Sequence, residues 1–197
     1  MVQEIYGDLR NHPDQAFALP DPLPKIERSR SFHTPIGISY WLRFASPSSR
    51  MNDQVVVRVY EPEGVKDPPT LIFGHGICVE FDHWRGLVDE VEALVALGIR
   101  VVRPEAPWHG RRVPAGSYGG ERFIATTPMG ALDLFTAAAR EWGILIEWAR
   151  SISSRPVAVG GSSLGAMTAQ IVASNARYWP QRLHPDALFL ITHCGRV

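Results

Sequence analysis

The sequence has few cysteines, no long apolar run and no block of charge of one sign, and each absence excludes a class of protein. Cys78 and Cys194 are far apart, which favours free thiols in a reduced, cytoplasmic protein over a structural disulfide. No segment is apolar over the roughly 20 residues that a membrane span needs. Residues 1–10 also lack the apolar stretch of a secretory signal. Twenty basic residues balance twenty acidic ones, so we expect neither nucleic acid nor a membrane as a partner.

What is present indicates one globular domain. Apolar residues make up 45 % and charged residues 20 % of the 197 residues, which is enough for one substantial core. Five prolines fall between residues 11 and 35, and they predict an irregular N-terminal extension over residues 1–35 that lies over the domain. The domain itself is expected to occupy residues 36–197.

Apolar periodicity predicts an α/β sheet. Alternation at period two indicates an antiparallel hairpin over residues 36–44 and 55–59. The later strands are short and continuously apolar, which is typical of a parallel centre covered on both faces. The pattern gives six strands in all. The later strands are predicted at 70–73, 99–102, 156–160 and 187–192, and helices at 82–97, from Thr127 to about Arg150, and after residue 163.

The segment from Val157 to Gly165 carries the strongest chemical signal. It runs from an apolar strand through Gly161-Ser-Ser-Leu-Gly165 into a helix of small residues, with Ser163 at the centre. A serine hydroxyl needs a sharp strand-to-helix turn, a nearby base and oxyanion donors before it attacks a carbonyl. Gly161 and Gly165 suit a turn that leaves no room for a β-carbon. The pattern therefore predicts a nucleophile at Ser163.

This motif and His75-Gly76-Ile77, which follows the third predicted strand, together resemble the α/β-hydrolase superfamily of serine esterase-like enzymes from residue 36 onward. The resemblance implies an α/β-hydrolase-like, mostly parallel sheet. It also implies that Ser163 is the nucleophile and that the backbone amides of Leu164 and Ile77 form the oxyanion hole. The expected reaction is acyl transfer on a small-molecule carboxylic ester or related carbonyl compound, without a cofactor. His75 is expected to brace its loop by hydrogen bonding and not to transfer protons.

The loop from Pro107 to Pro114 resembles a substrate-facing loop in some branches of the superfamily. That likeness predicts that Trp108 and His109 line the substrate pocket and that Arg111 or Arg112 meets a substrate carboxylate. The alternative, which we favour for the arginines, is pairing with Glu105 or Glu121.

Four histidines raise the question of a metal site. None of them forms an H-x-x-x-H pair, and no cysteine cluster supports them, so no metal is expected. The four are His75, His83, His109 and His193.

The resemblance breaks off after the serine, where the family places an acid and then a histidine. His184 and Asp186 precede the last predicted strand, which puts them at the wrong, amino-terminal edge of the sheet. His193 lies at the correct edge and is the remaining candidate base, although no acid follows it. The sequence thus predicts a fragment of a longer hydrolase, truncated after about six strands and impaired as it stands. The alternative is a non-catalytic remnant that acts as a binding module and self-associates through its exposed sheet edge.

Overall fold

The computed structural model describes residues 2–77 and 90–192. Apolar and β-branched segments form the strands, and the segments with helical apolar spacing form the longer helices. The strands are β1 Glu27–Arg28, β2 Phe32–Thr34, β3 Gly37–Ala45, β4 Gln54–Glu61, β5 Thr70–Gly74, β6 Arg100–Pro104, β7 Val157–Ser162 and β8 Ala187–Ile191. The helices are α1 Val2–Tyr6, α2 Pro13–Ala16, α3 Glu90–Ala96, α4 Glu121–Ala125, α5 Met129–Ile152 and α6 Leu164–Asn175.

The eight strands form one mixed sheet in the order β1-β3-β4-β6-β5-β7-β8, with β2 also paired to β3. Strands β6, β5, β7 and β8 run parallel. The β3–β4 hairpin is antiparallel and joins β6 in antiparallel register. The predicted α/β architecture, with an antiparallel hairpin followed by a parallel centre, is confirmed. Because the parallel strands point the same way, the loops that follow β5, β6, β7 and β8 meet at one edge of the sheet.

Apolar side chains cover both faces of the sheet, as the continuous apolar strands predict. On β5, Ile72 packs with α5 and α6 in the main core, whereas Leu71 and Phe73 pack with α3 on the opposite face. The helix α5 supplies most of the main core from its buried side, including Trp142 and Leu145. No helix among the described residues is both long and apolar enough to cross a membrane.

The sequence prediction was wrong in its strand count, which is eight and not six within the described residues. The two extra strands, β1 and β2, lie in the N-terminal extension, so that extension is only partly irregular. They have two and three residues and bury no apolar face, so they leave no period-two signal. Their pairing is imposed by the neighbouring edge of β3.

The extension otherwise lies over the domain as predicted. The indole nitrogen of Trp179 donates a hydrogen bond to the carbonyl oxygen of Phe17 at 2.9 Å, and the guanidinium of Arg140 donates one to Ala18 at 2.9 Å. The phenol of Tyr6 donates to the carboxylate of Asp133 on α5. These contacts fix the extension against α5 and the segment after α6.

One predicted helix is described only in part, and another begins later than predicted. Residues 82–89 of the helix predicted at 82–97 lie outside the described residues, and the described part ends before Gly98, whose φ of +82° suits a C-terminal cap. Helix α5 begins at Met129 and not at Thr127. The hydroxyl of Thr127 instead donates to the carbonyl of Phe123 at 2.7 Å, in the unpredicted helix α4.

Candidate active site

Ser163 lies on the sharp turn between β7 and α6. Its backbone has φ 49° and ψ −108°, a conformation that L residues rarely adopt, and its side chain is exposed. The amide of Ser163 donates to the carbonyl of Ile191 at 3.0 Å, and the carbonyl of Ser163 accepts from Met167 at 3.0 Å. The turn is thus held from β8 on one side and by the first turn of α6 on the other. It presents the hydroxyl at the edge where the parallel strands end.

Close backbone packing explains the glycines around Ser163. A β-carbon on Gly161 would overlap the backbone of Gly165, and a β-carbon on Gly165 would overlap the backbone of Gly74 at the end of β5. The helix α6 therefore starts in direct contact with the neighbouring strand. This contact sets the position of the serine relative to the loop that follows β5.

The loop His75-Gly76-Ile77 borders the serine. The carbonyl of His75 accepts a hydrogen bond from the amide of Gly165 at 2.9 Å, and a β-carbon on Gly76 would lie 4.0 Å from the β-carbon of Ser163. Leu164 is the first residue of α6, where amide groups and the helix dipole favour negative charge. The loop that ends in Ile77 and the helix that begins at Leu164 therefore both border Ser163.

His75 is buried and braces this loop. Its Nε2 atom accepts a hydrogen bond from the amide of Ala106 at 2.9 Å, so Nδ1 carries the proton and donates it to the carbonyl of Gly76 at 2.5 Å. Burial lowers the pKa of His75 to about 3. Both ring nitrogens are engaged with the backbone, so His75 joins the loops after β5 and β6 and is not placed to take a proton from Ser163.

Trp108 lies on the loop after β6 with a positive φ of 63°. Its ring is buried against Leu134 and Leu164, so it supports the start of α6 from the side. Another part of its surface lines a groove on the hairpin side of the sheet. His109 is fully buried and its Nδ1 donates to the carbonyl of Pro107 at 2.8 Å. His109 therefore offers no surface to a ligand, and its position fits a role in packing the loop.

Both arginines of this loop have acidic partners, but only Arg111 pairs with a predicted one, and the prediction of a surface pair with Glu105 or Glu121 was wrong for Arg112. Arg111 pairs with Glu105 at 2.5 Å, and its amide also donates to that carboxylate at 2.6 Å. Arg112 is buried and not at the surface, and it makes bidentate contacts at 2.8–3.0 Å with Asp53 and Glu141. Burial lowers the pKa of the Arg112 guanidinium, but the charges and hydrogen bonds of Glu141 and Asp53 together outweigh it and raise that pKa. Neither arginine is set to receive a substrate carboxylate through an unpaired guanidinium.

The Arg112 contacts were missed by the sequence reasoning. The guanidinium joins the loop after β6 to the turn before β4 and to the middle of α5, and it also donates to the carbonyl of Glu105 at 2.9 Å. Its carboxylate partners are 59 and 29 residues away in sequence, so no local pattern indicates them. The hydroxyl of Ser46 completes the cluster with a 2.7 Å hydrogen bond to Glu141.

The predicted position of His184 and Asp186 is confirmed. The carboxylate of Asp186 accepts a hydrogen bond from the amide of Val157, the first residue of β7, at 2.7 Å, and the Nε2 of His184 lies 3.1 Å from the carbonyl of Trp179. Both residues therefore lie at the amino-terminal edge of the parallel strands, away from Ser163. The candidate base His193 lies outside the described residues. Within residues 2–77 and 90–192, no cluster of three metal-binding side chains is found.

Comparisons with known proteins bear on the fold. No family model matches the chain, and no curated protein matches it. Among solved structures, a cold-adapted esterase from an Arctic intertidal metagenomic library is 18 % identical with a TM-score of 0.56, over 82 % of this chain and 63 % of that one. A proposed acetyl xylan esterase from Bacteroides fragilis is 13 % identical with a TM-score of 0.63, over 89 % of this chain and 51 % of that one. The chain thus spans between half and two thirds of the length of these structures.

Proposed function

We propose that this chain, which has the α/β-hydrolase fold, is the part of a serine hydrolase that carries the nucleophile and the oxyanion hole. The observation that carries the proposal is the backbone of Ser163, whose φ of 49° at the strand-to-helix turn exposes its hydroxyl beside Gly76. Holding a serine in this conformation costs free energy, on the order of 1–3 kcal/mol.

In the proposed reaction the Ser163 oxygen attacks the carbonyl carbon of an ester, and the carbonyl oxygen becomes an oxyanion. The amides of Leu164 and Ile77 donate hydrogen bonds to that oxyanion. The alcohol then leaves with a proton, and water hydrolyses the acyl-serine to release the acid and restore the hydroxyl. The similar solved structures are named as esterases, which supports ester substrates for this chain. The fold itself does not select among esters, thioesters and lactones.

His193 is the proposed base, since His75 is engaged through both ring nitrogens and His184 lies at the opposite edge of the sheet. The residue follows β8, and the carbonyl of Ile191 at the end of β8 already contacts the amide of Ser163 at 3.0 Å. The end of β8, two residues before His193, therefore lies beside Ser163.

A fluorophosphonate probe tests the proposal, because it reacts with a serine that is activated for acyl transfer. We expect the probe to label the wild-type chain and not the Ser163→Ala variant. Ser162→Ala is the matched control: Ser162 is the preceding residue, and its hydroxyl lies 3.5 Å from that of Thr192. Labelling of the Ser163→Ala variant would exclude Ser163 as the nucleophile. A folded wild-type chain that resists the probe would contradict the hydrolase proposal.

A second candidate function is an interaction module without turnover, and the outer strand of the sheet favours it. Strand β8 is last in the strand order, and its Leu188 and Phe189 are each 44 % exposed. No strand among residues 2–77 and 90–192 pairs with the outer edge of β8, and an edge of this kind adds readily to a second strand. Sedimentation velocity tests self-association through this edge, and we expect Leu188→Lys to shift any dimer toward monomer. A monomer at all concentrations would argue against this candidate.

A further inference from the structure

A groove of about 820 Å³ lies beyond Trp108, on the side of the sheet that carries the hairpin. Its floor and walls come from β1, β3, the turn before β4, the loop after β6 and α4. Ser163 does not belong to its lining, so the groove is separate from the nucleophile. The lining includes Glu27, Arg28, Trp41, Arg43, Arg50, Met51, Asp53, Trp108, Arg111, Arg112 and Arg122.

The groove is rich in arginine. Six of its lining residues are arginines and none is a lysine, against two acids. Three of the arginines have carboxylate partners: Arg50 pairs with Asp133, and the other two are Arg111 and Arg112, described above. The remaining arginines include Arg43 and Arg122, which are exposed. Neither lies within ion-pair distance of a carboxylate in the part of the chain that the structure describes.

One of the two acids that line the groove, Glu27, lies on β1. It stands opposite Arg43 across the β1–β3 pair without forming an ion pair with it. Asp53 lies deeper and accepts hydrogen bonds from Nε and Nη2 of the buried Arg112 side chain. The open part of the groove therefore presents an excess of positive charge with planar, bidentate donors.

Aromatic rings give the groove flat walls. The guanidinium of Arg111 lies 4.1 Å from the ring centre of Trp41, and its pairing with Glu105 holds it there. Trp108 closes the groove on the side of Leu164. A stacked arginine and an indole form a surface that suits a flat ring, while guanidinium groups at the rim suit an oxyanion.

We propose that this groove binds a flat organic anion, namely a ring that carries a carboxylate or a phosphate. The ring lies against the stacked Arg111 and Trp41, beside the edge of Trp108 that lines the groove, and the anionic group takes hydrogen bonds from Arg43 and Arg122. This binding site is independent of the chemistry at Ser163, and it remains intact if the hydrolase proposal fails.

Isothermal titration calorimetry tests the site by comparing the affinities of 2-naphthoate and its neutral amide, 2-naphthamide. Both compounds present the same ring, so charge alone separates them. We expect the naphthoate to bind at least tenfold more tightly to the wild-type chain, and equally well to Ser163→Ala. The double variant Arg43→Gln/Arg122→Gln should lose this preference, because each charged hydrogen bond contributes roughly a tenfold change in affinity. 2-Naphthyl phosphate, titrated in the same way, shows whether a phosphate or a carboxylate binds more tightly.

Arg155→Gln is the matched control, since Arg155 is exposed, lies at the amino-terminal edge of the sheet and does not line the groove. It should leave the preference unchanged. Equal binding of the acid and the amide would overturn the proposal, as would an unchanged preference in the double variant. Because both substituted arginines are exposed, far-ultraviolet circular dichroism should show the variants folded as the wild type.

Discussion

The amide of Gly165 donates a 2.9 Å hydrogen bond to the carbonyl oxygen of His75. This bond ties the first turn of α6 to the loop after β5. Leu164 directly precedes Gly165 and Ile77 lies two residues after His75, so we expect the bond to keep the two proposed oxyanion donors at a fixed spacing. A donor that moves by an ångström no longer reaches an oxyanion well, and loss of one donor typically costs ~10²–10³-fold in rate.

Gly165→Ala tests this tie. The added methyl group would overlap the backbone of Gly74, so we expect a loss of about 3 kcal/mol in the free energy of unfolding and strongly reduced probe labelling of Ser163. Urea denaturation measures the first quantity. Gly76→Ala is the matched control for stability, because a β-carbon there meets only an ordinary contact at 4.0 Å. Equal stability of the two variants would contradict the close packing between Gly165 and Gly74.

His75 predicts a pH dependence of stability. Burial lowers its pKa to about 3 in the folded chain, against 6.5 for an unperturbed histidine. As the pH falls from about 6.5 toward 3, the unfolded chain takes up a proton that the folded chain does not, so the free energy of unfolding decreases. We expect His75→Asn to show a shallower decrease between pH 7 and pH 4 in denaturant titrations, whatever its stability at pH 7.

The exposed His33 provides the control for that measurement. His33 lies on β2, outside the loops that His75 joins, so His33→Asn shows the effect of replacing a histidine that does not brace them. If His75→Asn has the wild-type slope, the proton uptake comes from other groups, and the assignment to His75 is wrong.

The buried cluster around Arg112 predicts strong coupling between two positions. Arg112→Met would leave the carboxylate of Glu141 buried with the hydroxyl of Ser46 and no cation, and we expect a loss of about 3–5 kcal/mol in the free energy of unfolding. Glu141→Gln in the same chain should recover part of that loss, because it removes the uncompensated charge. Equilibrium unfolding of both single variants and the double variant measures the coupling. Additive losses would show that the two side chains do not depend on each other.

The proposed base can be tested by its effect on labelling. We expect His193→Ala to slow the reaction of Ser163 with a fluorophosphonate by about 10²-fold or more, the contribution typical of a positioned base. His184→Ala is the control, since His184 contacts the carbonyl of Trp179 at the opposite edge of the sheet. Labelling is carried out at pH 8 and quenched at a series of times, and the labelling rates of the two variants are compared. Equal rates for the two variants would remove His193 from the mechanism.

The N-terminal extension should behave as part of the folded domain. Trp179→Phe removes the 2.9 Å hydrogen bond to the carbonyl of Phe17 and keeps most of the ring. We expect a loss of about 1 kcal/mol and faster cleavage of the first 20 residues in limited proteolysis. Trp148→Phe, a change on α5 in a partly buried ring, should leave that cleavage rate unchanged.

The sequence by itself determined the elements that rest on local physics. Period-two alternation located β3 and β4, continuous apolar runs located the parallel strands, and the glycines around Ser163 indicated the sharp turn. Each of these signals depends on side chains and backbone within a few residues of one another. The bracing role of His75 was likewise expected, and its two backbone hydrogen bonds agree with it.

The tertiary structure decided what depends on distant partners. Strands β1 and β2 exist because the edge of β3 is available to pair with them, and Arg112 is buried because Asp53 and Glu141 converge on it from other elements. The arginine groove likewise draws its lining from segments that lie far apart in the chain. Hydrogen bonds and ion pairs between remote residues leave no periodic pattern in a sequence, so only the folded chain brings their partners together.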